Sequence, residues 1–533
     1  MTQKQTTLVG GVSILGVAGI ICKLVGVLYR IPLTNIITQD GMGVYSTVYP
    51  TYNLLLTISS AGLPVAISRM MAHYITREDP GNARRIFRLA LRILFILGIV
   101  TAVLMLALSG LLAASHNDPD TRLGFMAIAP SLFFVCVMSA YRGFLQGQRN
   151  MVPTAVSQLI EQIGRVFVAL PLAYIGMRRG GIAWGVAGAL LGSTTAEGVS
   201  LVYMLIQHRR SHKALDQMPQ RRDAEPLSDK TILKRLAVVA IPITLGACIV
   251  PLAGFIDSHM IRPLMEGAGI AFEKARILFG VYTGPVITLI NVPTAIAMAM
   301  GTNLVPDIAS GLARGDKEYV IQETGIGLRM AAVVGFPCSV GLSLLAKPIL
   351  YLCYRSGYEA VYLNTAAELL QISALTIVLF TMVQATSGIL QGAGKQRIPM
   401  YTLILGVALK IALNYTLVQR PEINIHGAPW ASLLCYTASM IPNLYFVGKY
   451  TGYRFQVMDV VIRPLLCALL MGGAVYGIWH FGFGDPGQLN GFKLIFGILL
   501  CVLTGVVVYT FAALKSGAIH RDDLPQKVRR FLK

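Results

Sequence analysis

Eight basic side chains, Lys23, Arg30, Arg69, Arg142, Arg165, Arg329, Lys347 and Lys410, fall inside long apolar stretches of this sequence. An ionisable group in hydrocarbon is costly, so each is either functional or lies where a long side chain reaches water. Arg30, Arg69, Arg142, Arg329 and Lys347 lie near the ends of their stretches and fit the second reading at least as well. Lys23 lies in the middle of one, and Arg30 follows seven residues later, two helical turns on and on the same face. Gly16, Gly19 and Gly26 accompany them, which makes that helix slender. Two cations on a slender apolar helix beside a cavity suit an anionic ligand, although a structural ion pair would use the same residues.

A second constellation lies in "TAVSQLIEQIGRV", where Glu161 and Arg165 stand at i, i+4 with the acid toward the N-terminus, the favourable order for a pair. Thr154, Gln158 and Gln162 extend the stripe, which must face the interior of a bundle or a wet cavity. It either grips a substrate or staples its neighbours. Glu197 is a further acid inside an apolar run. Asp257 and His259 share one stretch, and Lys410 and Asn414 are one turn apart on another. Asp257 could hold a coupling cation or proton, or pair with Lys410, and the pair is preferred. His259 titrates near neutral pH when solvated but is more often simply hydrogen-bonded.

Prolines interrupt two corresponding stretches: Pro50 and Pro64 in one, Pro285, Pro293 and Pro306 in the other. Each removes a backbone hydrogen bond, so these are candidate hinges, with static kinks as the plainer reading. The eight cysteines are scattered without a CxxC, and neither a phosphate-binding glycine loop nor a zinc spacing is present. This argues against an ATP-driven pump and predicts no metal or cofactor. A coupling ion, Na+ or H+, or the membrane potential alone would supply the energy.

The elements that must position these residues follow from composition. Of 533 residues, 55% are hydrophobic and 13% charged, with a mean hydropathy of +0.63. A soluble domain carries about a quarter charged residues. Apolar runs long enough to span a bilayer recur throughout. Fourteen are expected: 8–37, 43–72, 86–114, 122–146, 152–176, 181–207, 233–262, 277–309, 323–352, 361–390, 399–419, 427–448, 460–481 and 492–514. The first is too long for a secretory signal and is expected to be retained. With the N-terminus inside, 28 of the 45 Lys and Arg fall in cytoplasmic segments and 9 in external ones, the remaining 8 being those within spans. The positive-inside rule therefore places both termini in the cytoplasm and accounts for most of the +20 charge without nucleic acid.

The hydrophilic segment 207–235 reads as a linker between two halves. "YRIPL" (29–33) returns as "IRPL" (261–264), "GVYS" (43–46) as "GVYT" (280–283), and "LQG" (145–147) as "LQG" (390–392). Six spans per half makes the repeats parallel. The expected fold is an all-α integral membrane protein: an N-terminal lobe (1–207), a basic linker (208–232), a C-terminal lobe (233–450) around a central cavity, two appended spans (451–515) and a tail (516–533).

"KLVGVLYRIPLTNIITQDGMGVYS", "RGFLQGQRNMVPTAVSQLIEQIGRV" and "SGILQGAGKQRIP" resemble the SpoVB/YtgP-type polysaccharide exporters. These belong to the multidrug/oligosaccharidyl-lipid/polysaccharide (MOP) superfamily and are similar to the MurJ-type lipid II flippases. The resemblance implies alternating access, a cationic cavity for a lipid-linked pyrophosphate and a groove for its tail beside the last two helices. It matches the family's first-helix cations to Lys23 and Arg30. The family's second-helix arginine falls at Leu56 or Thr57, and its eighth-helix arginine has no counterpart, which leaves Arg69, Arg142 or Arg262 to compensate. The sodium site of some relatives maps to Asp257 and Asn414, while Lys410 argues against a bound cation.

The expected function is export of lipid II, an undecaprenyl-pyrophosphate-linked peptidoglycan precursor, across the bacterial cytoplasmic membrane. The expected partners are that anionic lipid, membrane lipids and cell-wall synthesis machinery. The alternatives are another lipid-linked oligosaccharide (capsular, teichuronic or spore-cortex) and a cation-coupled multidrug exporter. An enzyme is disfavoured, because the short external loops carry no acid or metal cluster.

Overall fold

The computed structural model describes residues 3–216 and 226–519, with side chains from Ala18 onward except Ile20, Lys23 and 212–216. Those residues form helices and no strand. Eleven helical segments among them are long and apolar enough to cross a membrane. The fit to the expected spans is close: Thr121–Gly147, Arg397–Val418 and Gly491–Lys515 cover 122–146, 399–419 and 492–514 to within a few residues. Length and hydropathy set these helices, because a bilayer leaves no other way to satisfy the backbone.

Two segments are too long for one crossing. Leu24–Thr76 has 53 residues and Val152–Ser211 has 60, whereas about 20 span the core. Thr38, at φ 63° and ψ −178°, breaks the first, and Gly181, at φ 73° and ψ −155°, breaks the second. The expected fourteen crossings require that both cross twice and that Gly427–Thr451, a less apolar helix of 25 residues, cross as well.

By packing, the chain forms two compact units, Met1–His259 and Met260–Lys533. In the first, Ile232, Leu236 and Ala240 of the helix Asp229–Gly267 share a core with Ile67, Met71, Phe87 and Phe144. That helix therefore packs largely with the first unit, although its sequence follows the linker. In the second unit, Cys467 and Met471 of Arg463–Gly482 and Cys501 and Tyr509 of Gly491–Lys515 share a core with Val333. The outer faces remain apolar, with Phe167, Phe481 and Phe492 all strongly exposed, as lipid-facing side chains are.

The repeated "LQG" is the same corner built twice. A Cβ on Gly147 would lie 2.7 Å from the Met71 Cβ and 3.1 Å from the Ser68 carbonyl; one on Gly392 would lie 2.9 Å from the Ile308 Cβ and 2.7 Å from the Val305 carbonyl. Ser68 with Met71, and Val305 with Ile308, are each three residues apart, on the helices Leu63–Thr76 and Ile287–Arg314. A glycine at this point lets two helices touch at the backbone.

Of the candidate hinges, Pro50 lies inside the helix Gln3–Ser60, and Pro64 opens Leu63–Thr76 rather than bending it. Pro285 sits in a π turn, Tyr282–Val286, while Pro293 and Pro306 lie within Ile287–Arg314. The break is thus placed differently in the two repeats.

Candidate functional site

The polar stripe of 154–165 is positioned by a helix, Val152–Gly164, that runs into a π turn at Arg165–Ala169. A π turn takes an extra residue per hydrogen-bonded ring and so rotates everything after it. The expected Glu161–Arg165 pair does not form, and each takes a partner from another helix. The Arg142 Nη2 donates to the Glu161 Oε1 at 2.5 Å, and the Arg165 Nη2 to the Glu197 Oε1 at 3.0 Å. Close helix approach sets the second pair: a Cβ on Gly164 would lie 2.6 Å from the Ala196 Cβ, one residue before Glu197.

Hydroxyls complete the network. Arg142 also donates to the Ser157 Oγ, through Nη2 at 2.8 Å and Nε at 3.1 Å, and the Ser200 hydroxyl donates to the Glu161 Oε1 at 3.2 Å. The Tyr52 hydroxyl lies 2.7 Å from the Ser131 Oγ and donates to Glu197 at 3.2 Å, and Ser131 also donates to Glu197. Gln146 donates to the Thr154 Oγ1 at 3.3 Å. Two arginines are balanced by two glutamates, and the Glu197 side chain is only 2% exposed. A buried ion pair is costly to break and carries no net charge to draw an anion. The cluster fastens the helices of the first unit. Tyr52, Ser131, Ser157 and Ser200 carry no sequence signal beyond being polar in apolar helices.

The first helix lies against this stripe, since a Cβ on Gly26 would sit 3.4 Å from the Gln162 Oε1. Gln158 and Gln162 are half-buried. Arg30 is half-buried too, its guanidinium 6.0 Å from the Tyr45 ring. The side chain of Lys23 lies outside the described residues. Arg69 does not join this group; it lines a cleft with residues of Asp229–Gly267.

The remaining candidates are placed as follows. Arg262 is 1% exposed, 3.3 Å from the Glu266 carboxylate and 4.9 Å from the Phe272 ring, so it is packed and partnered rather than presented on an open surface. The His259 Nδ1 lies 3.0 Å from the Phe255 carbonyl and 3.1 Å from the Ser258 Oγ, and its ring lies 4.1 Å from that of His116 at a tilt of 55°. Asp257 belongs to the first unit, Lys410 and Asn414 to the second, where Asn414 is fully buried. Among the described residues, no group of three or more His, Cys, Asp or Glu could hold a metal ion.

A family model described as "Polysaccharide biosynthesis protein" matches residues 8–312, more than half of the chain. The chain belongs to this family. A second model, MatE, matches residues 283–416. The chain is 25% identical over 531 residues to the lipid II flippase MurJ of Bacillus subtilis (strain 168), covering 97% of both chains. It is 28% identical over 527 residues to the stage V sporulation protein B of the same organism, covering 98% of this chain and 97% of that one. Among solved structures, it resembles a lipid II flippase MurJ in an inward closed conformation, with a TM-score of 0.67 and 13% identity, over 94% of this chain and 97% of that one. An inward-facing multidrug transporter of the MOP superfamily gives a TM-score of 0.64 at 15% identity, over 81% and 94%. These likenesses show the fold. This member of the polysaccharide biosynthesis protein family has a multi-pass membrane fold, and the lipid II flippase and the multidrug transporter that it resembles are transporters rather than enzymes.

Proposed function

We propose that the protein is a flippase that carries an undecaprenyl-pyrophosphate-linked peptidoglycan precursor, lipid II, from the inner to the outer leaflet by alternating access. The observation that carries this reading is the match along 97% of both chains to a relative named for that activity. The diphosphate is recognised by Lys23 and Arg30, two turns apart on one helix, since the arginines of the neighbouring cluster are already neutralised by glutamates. Both termini face the cytoplasm.

No cofactor is required. Each negative charge moved outward from a negative interior gains about 2.3 kcal/mol per 100 mV, so a diphosphate is driven out by the membrane potential if the cationic helix returns empty.

The similarity to a stage V sporulation protein favours a second cargo of the same class, a lipid-linked oligosaccharide used in spore formation. A multidrug exporter is disfavoured, because Glu161 and Glu197, which would attract cationic drugs, are each held by an arginine.

The test is depletion in the native cell, with outer-leaflet lipid II read by an added toxin that cleaves its headgroup. Lipid II should become protected on depletion and accessible again when this chain is restored. Unchanged accessibility would transfer the assignment to another lipid-linked precursor.

A further inference from the structure

In the first unit, the helices Leu63–Thr76 and Asp229–Gly267 enclose a cleft of about 1150 Å³ that the polar cluster does not use. Five cations line it: Arg69, Arg77, Lys230, Lys234 and Arg235. No carboxylate is among the lining residues, and Asp229, beside Lys230, is taken up by Arg85 at 2.9 Å. Arg235 is already oriented, its Nη1 donating to the Tyr74 hydroxyl at 2.6 Å. Four apolar side chains share this lining, buried Met70 with Ala72, Val238 and Val239.

A bare basic surface would be a solvated face attracted loosely to anionic lipid. This cleft has a ligand-sized volume and brings uncompensated cations and apolar side chains together in one lining. The two halves of that lining match the two halves of one molecule. The positive-inside bias places Arg77 and Lys230 on the cytoplasmic side, level with the inner-leaflet headgroups.

We propose that this cleft binds a lipid phosphate, one or two phosphate groups carried on an apolar tail, at the inner leaflet. Guanidinium and ammonium groups take the phosphate oxygens, and the apolar side chains of the lining take the first carbons of the tail. The tail separates this ligand from a nucleotide or free phosphate, which would leave the apolar side chains of the lining wet. Two sources share the chemistry: an anionic phospholipid of the bilayer, and a prenyl diphosphate carrier waiting to enter the transporter.

The experiment measures binding of three probes to the full-length protein in detergent by microscale thermophoresis: short-chain phosphatidylglycerol, farnesyl diphosphate and inorganic pyrophosphate. The variant Arg77→Gln/Lys230→Gln/Lys234→Gln leaves Arg69 in place. The control Arg88→Gln/Arg92→Gln/Lys317→Gln removes the same charge from other exposed positions. At least one tailed probe should bind, weakened at least about tenfold in the cleft variant and by no more than about twofold in the control. Binding of phosphatidylglycerol alone assigns the cleft to bilayer lipid, and binding of farnesyl diphosphate alone to a carrier. Three results would overturn the proposal: no binding of either tailed probe, equal losses in both variants, or inorganic pyrophosphate binding as tightly as farnesyl diphosphate. Binding is read without transport, so the outcome is independent of which cargo the protein moves.

Discussion

At the scale of single residues, the decisive feature is that Arg142 and Arg165 are spent on Glu161 and Glu197. Removing one partner leaves a charge stranded in a dry environment, at a cost of about 3–5 kcal/mol; replacing both with apolar side chains of similar size is often neutral. Glu197→Ala should therefore lower the thermal midpoint of the purified protein, and Arg165→Met/Glu197→Met should recover most of the loss and retain transport. Loss of transport by a stable double variant would make the cluster part of the substrate site. The first helix should behave in the opposite way. Lys23→Ala and Arg30→Ala should abolish export while leaving folded protein at normal yield. Normal export in both would remove these cations from the mechanism. Glu161 and Arg165 were legible in the sequence as out of place, but their partners were not. The i, i+4 rule sees only one helix, and the approach of Ala196 to Gly164 brings in the partner from outside it.

At the scale of elements, hydropathy located the helices and glycine located their contacts, whereas the breaks left little trace. Thr38 is β-branched and sits at positive φ, the reverse of what a turn residue predicts. The basic cleft was hidden for a related reason. Arg77 and Lys230 read as loop charges until the packing of Leu63–Thr76 on Asp229–Gly267 brings them to one rim. That packing makes a test. A Cβ on Gly62 would run into the Ala240 carbonyl, and the Gly62 N–H donates to the Thr244 Oγ1 at 3.1 Å. Gly62→Val should sharply reduce folded protein, judged by size-exclusion chromatography, while Gly19→Ala, with nothing within 4 Å, should be tolerated. A second element contact is sensitive to pH. The Lys347 ammonium, 3.0 Å away, and the Gly487 N–H hold the Asp485 carboxyl below its ordinary range. A depressed carboxylate stabilises above its unfolded value of about 3.9 and ceases to as pH falls through the folded one. Asp485→Asn should therefore cost a little thermal stability at neutral pH and nothing in strong acid.

At the scale of the whole molecule, the duplication was readable because its markers are residues that geometry restricts. Gly147 and Gly392 recur because two helices touch there, and no larger side chain fits. The division into units was less readable, since the helix after the linker packs largely with what precedes it. For the whole molecule, the proposal is transport of a lipid diphosphate across the bilayer driven by the membrane potential alone. The most direct measurement uses the purified protein in liposomes loaded with labelled lipid II and set to a defined potential, with the fraction exposed outside read by headgroup cleavage. Export should rise when the interior is made negative, fall when the sign is reversed, and vanish in Lys23→Ala/Arg30→Ala. Export that ignores the potential, or that persists without those two cations, would contradict the account.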